Sequence, residues 1–112
     1  MNNRLQEPLG KVIDLLVTRK YVELETLTNG VRLSAQEMAR AISDYGHDLV
    51  SPPKEAFDLM NVVEIREATP RQWSITMPLW TQREGRSDLS IDVTLVVAEK
   101  GFRIELDDIH VL

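Results

Sequence analysis

Apolar and polar residues alternate through three successive runs in the last forty residues of the chain. Two turn-type segments, residues 82–87 and 98–101, separate these runs. A period of two with one apolar parity is typical of strands that are buried on one face and wet on the other. The pattern therefore predicts an antiparallel meander with a continuous apolar face. Its inward residues are Trp73, Ile75, Met77 and Leu79, then Leu89, Ile91, Val93, Leu95 and Val97, and finally Phe102, Ile104 and Leu106.

Helical spacing takes the place of this alternation in the first half of the chain. Apolar residues recur every three or four positions from Leu5 to Leu16, which marks one face of a helix. Pro8 is expected in the first turn of that helix, where a missing N–H costs little. A second, shorter helical segment is expected over residues 21–27.

A capping-box pattern marks the start of a third helix. Ser34 can accept a hydrogen bond from the Glu37 amide while the Glu37 side chain reaches back to the Ser34 amide. Gly46 then supplies the left-handed conformation that ends many helices. One more helical turn is expected after Pro53, followed by a first strand around Val62.

The order of these elements predicts the fold class. A helical part over about 4–60 precedes an antiparallel sheet over about 61–112, within one domain. Such segregation favours an α+β fold with about three helices packed on a curled antiparallel sheet of about four strands. Helices laid on one curled sheet form a half-open cone, the shape of nuclear-transport-factor-like and cystatin-like folds. Such cones can hold a ligand, although fold alone does not license that function.

Amino-acid composition and net charge exclude several kinds of site and partner. The chain has 112 residues, no cysteine and a formal net charge of −5. Without cysteine, disulfides, thiolate metal sites and a cysteine nucleophile are excluded. The negative charge argues against direct nucleic-acid binding and is compatible with a basic protein partner. The chain shows neither an apolar signal core nor a run of membrane-spanning length, so a cytoplasmic protein without membrane contact is expected.

The densest acidic cluster comprises Glu105, Asp107 and Asp108, followed by His110. On a regular strand Glu105 and Asp107 share one face, whereas Asp108 and His110 share the other. Ligands divided between two faces make poor metal geometry, so no metal-binding or catalytic residue is assigned. Two interpretations stay open: a solvated strand whose charges resist edge pairing, and an acidic strip that faces a partner.

Residues 78–88 form the most individual local pattern of the chain. Trp80 has the opposite parity to Trp73, so it faces outward unless Pro78 introduces a bulge that buries it. An exposed tryptophan close to an arginine such as Arg83 has the composition of an interface anchor and its rim. Both orientations of Trp80 stay open on the sequence.

The letters PLWT, EGRSDL and IELDDIHVL, at residues 78–81, 84–89 and 104–112, resemble a small bacterial domain family. The resemblance extends to residues 27–34 and 52–57, so it covers nearly the whole chain. It implies no catalytic residue.

The chain is also similar, in its size, its acidity and its lack of catalytic groups, to immunity proteins of bacterial contact-dependent growth inhibition and related toxin systems. This likeness implies a cytoplasmic inhibitor that binds and occludes a cognate basic toxin domain, such as a nuclease, without catalysis or cofactor. Carboxylates would stand where the substrate phosphates of the toxin lie. The partner-binding residues expected from this likeness are Trp80, Arg83, Glu105, Asp107 and Asp108.

Three other hypotheses compete with the inhibitor. A small molecule could lie between the first helix and the sheet, although only Trp73 and Met77 offer an apolar lining on an otherwise filled face. An enzyme would need convergent acid–base groups, and the chain has only two histidines, His47 and His110. The third is an accessory domain, with a homodimer formed through the open sheet face.

Overall fold

The computed structural model describes residues 3–112, and its helices precede most of its strands. The helices are α1 (Asn3–Val17), α2 (Tyr21–Leu27) and α3 (Ala35–Tyr45), with a 3-10 helix at Lys54–Leu59. The strands are β1 (Leu49–Val50), β2 (Asn61–Glu64), β3 (Gln72–Thr81), β4 (Gly85–Val97) and β5 (Phe102–Val111). The predicted α+β fold is confirmed, with five strands instead of about four. A strand as short as β1 has no alternation, so the sequence pattern could not reveal it.

The strands form one open antiparallel sheet. The order is β1–β3–β4–β5, and β2 pairs with the same edge of β3 as β1 does. The sheet curls without closing, and the three helices pack on one of its faces, which confirms the predicted half-open cone. Within residues 3–112 no helix is both long and apolar enough to cross a membrane.

The predicted inward face of the sheet is confirmed as the centre of the core. The side chains of Ile75, Met77, Ile91 and Leu95 are each 0% exposed. They belong to one cluster with Leu9, Val12 and Leu16 of α1 and with Met38 and Ile42 of α3. Complete burial of such an aliphatic side chain contributes about 1.5–3 kcal/mol, so this interface is the main source of stability. Val97 and Phe102 lie half-buried at its margin.

The predicted capping box of α3 is confirmed on both sides. The Glu37 amide donates to Ser34 Oγ at 3.1 Å, and the Ser34 amide donates to Glu37 Oε1 at 2.9 Å. Gly46 ends the helix at a φ of 86°, which glycine adopts without the strain of a Cβ.

The predicted position of Pro8 is wrong. Because α1 begins at Asn3, Pro8 lies in its second turn, where proline has no N–H to donate within the helix. The polar residues that precede Leu5 carry no apolar signal, so the sequence pattern placed the helix start too late.

Candidate partner-binding face

A bulge in β5 gathers the C-terminal acidic residues on the outward face of the sheet. Val93 pairs with Leu106 and Asp92 pairs with Asp108, so Asp107 is an extra residue in β5. One extra residue turns every later residue of the strand to the opposite face from the one it would occupy in a regular strand. Asp108 and His110 therefore lie on the outward face, as Glu105 does. The expectation that Asp108 and His110 face away from Glu105 is therefore wrong.

Threonines of neighbouring strands donate hydrogen bonds to two carboxylates on this face, those of Asp92 in β4 and Asp107 in β5. Thr76 Oγ1 donates to Asp92 Oδ1 at 2.8 Å, and Thr94 Oγ1 donates to Asp107 Oδ2 at 2.6 Å. His110 Nε2 lies 2.8 Å from Asp92 Oδ2. These contacts fix the side chains across β3, β4 and β5, so the carboxylates are oriented before any partner arrives.

The outward face carries more negative than positive charge. Four carboxylates, those of Asp92, Glu105, Asp107 and Asp108, lie close together on it. Two guanidinium groups approach them, that of Arg103 at 3.7 Å from Glu105 and that of Arg32 at 3.7 Å from Asp107. Both contacts exceed hydrogen-bond distance and involve exposed arginines, so they neutralise the face only in part.

Trp80 is half-buried and points to the outward face of β3. Burial alternates without a break from Gln72 to Thr81, so Pro78 does not reverse the parity of this strand. The irregularity next to Pro78 falls instead on β4, where the Ser87 hydroxyl donates to the Leu79 carbonyl at 2.8 Å. The Trp80 side chain packs against the margin of the core and stays partly accessible.

The sheet register gives the spacing of the predicted partner-binding residues. Asp108 and Thr76 lie at the same level as Asp92, so four residues of β3 and two strand spacings separate Trp80 from Asp108. With a rise of about 3.4 Å and a spacing of about 4.8 Å, the distance is roughly 17 Å. Trp80 thus lies about 17 Å from Asp108. It is on the same outward face as the predicted Glu105, Asp107 and Asp108.

Arg83 does not join this group. It lies in the turn between β3 and β4 and lines a hollow with Gly46, His47 and Asp48. The structure therefore places this residue at one end of the sheet, beside the C-terminus of α3.

Sequence reasoning missed Asp92, which contacts Thr76 and His110. Asp92 interrupts the apolar strand β4 at an outward position, flanked by Ile91 and Val93. The alternation of β4 predicts that Asp92 faces outward. Its proximity to His110 depends on the bulge in β5, for which the sequence has no marker.

A separate cavity of about 380 Å³ lies where the three helices converge with the loop after α3. Its lining includes Arg19, Tyr21, Ser43, His47 and Asp48. Arg19 donates to Asp48 Oδ1 at 2.8 Å across this cavity, and burial raises the pKa of the Tyr21 hydroxyl. By contrast, core side chains fill the centre of the space between α1 and the sheet, with Met77 fully buried and Trp73 7% exposed. A hollow of about 620 Å³ lies at the margin of this space, lined by Pro8 and Lys11 of α1 and by Phe102 and Ile104 of β5.

Residues 13–112 match the model of a family described as a domain of unknown function, DUF7668. The chain belongs to this family. No curated protein and no solved structure gives a significant match. The DUF7668 region includes every strand of the sheet, so the outward face lies entirely within the family domain.

Proposed function

We propose that this DUF7668 protein is a non-catalytic binding protein whose outward sheet face occupies the cationic site of a basic partner protein. One observation carries the proposal: the bulge in β5 places Glu105, Asp107 and Asp108 beside Asp92 on a face that no described helix covers. Carboxylates in this number attract lysine and arginine side chains and raise the rate of association with a basic surface.

The way these carboxylates are held also supports binding. Thr76 and Thr94 already orient Asp92 and Asp107, so ordering them costs little further entropy when a partner binds. Asp107 Oδ1 is buried and has no hydrogen-bond partner among residues 3–112, with the Arg32 guanidinium 3.7 Å away. Burial of this oxygen beside Arg32 keeps the Asp107 carboxylate in a fixed position on the face.

Trp80 extends the surface towards the other end of the sheet. A standard interface buries about 800 Å² on each side, which is roughly 30 Å across for a circular patch. The spacing of about 17 Å between Trp80 and Asp108 fits within such a patch. In this arrangement Trp80 is the aromatic anchor and Arg83 lies at the rim.

The finer proposal is an immunity protein that acts in the cytoplasm against a cognate toxin domain. A nuclease domain is the best-suited partner because its active site presents cations to substrate phosphates. The carboxylates of Glu105, Asp107 and Asp108 would take the places of those phosphates and exclude the substrate. The proposal includes no direct contact with nucleic acid, no membrane contact and no cofactor.

A charge-matched pair of variants tests this proposal. One variant carries Glu105→Lys, Asp107→Lys and Asp108→Lys, and its control carries Asp14→Lys, Glu55→Lys and Asp58→Lys at exposed positions outside the sheet. Both change the net charge equally. Each tagged chain is used to recover partners from its native cells, with mass spectrometry of the bound proteins.

Wild-type protein and the control variant should both recover one basic protein at equal stoichiometry, and the sheet-face variant should lose it. Association rates measured with the recovered protein should fall steeply with added salt. If both variants retain the partner equally, the outward face is not the binding surface and the proposal is wrong.

The cavity of about 380 Å³ at the helix junction supports a second candidate function, the binding of a small polar molecule. Arg19, Tyr21 and His47 provide hydrogen-bonding groups, and Leu16 and Ile42 provide apolar walls. Native mass spectrometry of protein purified from its own cells would reveal a retained molecule. Ala39→Phe, which fills the cavity from α3, should abolish its retention, and retention by this variant would exclude the cavity.

A further inference from the structure

Asp92, Asp108 and His110 form a compact group of ligand atoms on the outward face. One ligand atom from each residue lies within 4.8 Å of those of the other two. The closest pair is His110 Nε2 and Asp92 Oδ2, at 2.8 Å. Adjacent ligands of an octahedral ion with bonds of about 2.1 Å are about 3 Å apart. The group therefore needs only a small closure around an ion.

Asp92 Oδ2 and Asp108 Oδ2 are the oxygens left to ligate an ion, which would replace the contact between Asp92 Oδ2 and His110 Nε2. Thr76 Oγ1 donates to Asp92 Oδ1, and the Ile109 amide donates to Asp108 Oδ1 at 2.9 Å. Hydrogen bonds of this kind orient first-shell ligands and are a regular feature of metal sites. The Asp92 and His110 side chains are each 31% exposed, so water can complete the coordination and the ion can exchange with solvent.

An unsatisfied hydroxyl beside the group is an independent observation. Ser90 is 0% exposed, and its Oγ has no hydrogen-bond partner among residues 3–112. Ser90 pairs directly with His110 and lies two residues before Asp92, on the same face of β4. A buried hydroxyl without a partner costs about 1–3 kcal/mol. A water molecule bound to an ion at this group would supply the missing partner.

We propose that Asp92, Asp108 and His110 bind one divalent transition-metal ion, of the zinc or manganese class. One imidazole nitrogen and two carboxylates suit these ions, whereas Ca²⁺ prefers oxygen ligands alone. The ion would link β4 to β5 beside the bulge and reduce the negative charge of the outward face. This inference concerns the isolated chain and does not depend on a partner protein.

The test uses the full chain after treatment with a chelator, titrated with ZnCl₂ and separately with MnCl₂. Isothermal titration calorimetry gives stoichiometry and affinity, and the melting temperature with and without the ion gives a second readout. Wild-type protein should bind one ion per chain and melt at a higher temperature when the ion is present. Asp108→Asn and His110→Gln should each lower the affinity at least tenfold.

Two further variants separate the ligands from their surroundings. Thr76→Val removes the donor that orients Asp92 and should weaken binding about tenfold. Glu99→Gln removes an exposed carboxylate in the turn between β4 and β5, outside the group, so it should retain the wild-type affinity. The proposal is overturned if neither ion binds saturably to the wild-type chain. It is equally overturned if Glu99→Gln weakens binding as much as Asp108→Asn does.

Discussion

On β4, Ile91 and Val93 face the helices and are fully buried, whereas Asp92 and Thr94 face outward and stay partly exposed. The inward residues are held by close packing with α1 and α3, and any apolar side chain of similar volume would serve there. The outward residues make hydrogen bonds to named partners, Thr76 to Asp92 and Thr94 to Asp107. Adjacent residues of one strand thus serve core packing and polar contacts separately, so we expect that each face can be altered without the other.

The sharpest test of this division is a pair of deletions in β5. Deletion of Asp107 removes only the extra residue of the bulge, so Leu106 stays paired with Val93 and Asp108 with Asp92. Deletion of Glu105 places Leu106 opposite Thr94 on the outward face and turns Asp107 inward. We expect the Glu105 deletion to cost more than the roughly 2–5 kcal/mol of a buried leucine truncation, because it also buries a carboxylate.

The Asp107 deletion should cost about 1 kcal/mol, mainly through the lost hydrogen bond from Thr94. Urea denaturation of both deletion variants measures the difference. Equal destabilisation by the two deletions would show that the bulge at Asp107 is not present in solution.

Neighbouring truncations on β3 test the same division with a smaller effect. Ile75 is 0% exposed on the inward face, and Ser74 is half-buried on the outward face. Ile75→Ala should lower the free energy of unfolding by about 2–5 kcal/mol because it opens a cavity in the core. Ser74→Ala should change it by less than about 0.5 kcal/mol. A comparable loss from Ser74→Ala would mean that the outward face also packs against part of the protein.

The two faces also differ in how far the sequence predicted them. The inward residues of β3, β4 and β5 were identified from alternation because hydrophobic burial acts on every second residue and leaves a repeated signal. The capping box at Ser34 was identified because all of its partners lie within four residues.

The outward group was not predicted, since the proximity of Asp92 to His110 depends on pairing between strands and on one extra residue. Asp107 resembles any other strand carboxylate in the sequence. Local and periodic interactions can therefore be predicted from the sequence. A bulge shifts the strand register only once, so it produces no repeated pattern that the sequence could show.

Helix α3 offers a local interaction of intermediate size. Ser34→Ala removes the oxygen that accepts from the Glu37 amide and should cost about 1 kcal/mol of stability. Chemical denaturation measures this effect. Unchanged stability in Ser34→Ala would show that the cap does not support the helix.

The smallest expected effect is a dependence of stability on pH through Glu37. The hydrogen bond from the Ser34 amide, together with that from the Ser34 side chain, lowers the pKa of the Glu37 carboxyl below its ordinary 4.5. A carboxyl whose pKa is lower in the folded chain stabilises it above the unfolded pKa, and this contribution is lost as the pH falls through the folded value. Glu37→Gln keeps a capping side chain but removes this titration. Below pH 4.5 the stability of the variant should therefore fall less steeply than that of the wild type. Urea titrations at several acidic pH values measure both slopes, and parallel slopes would show that the Glu37 carboxylate does not favour the folded state.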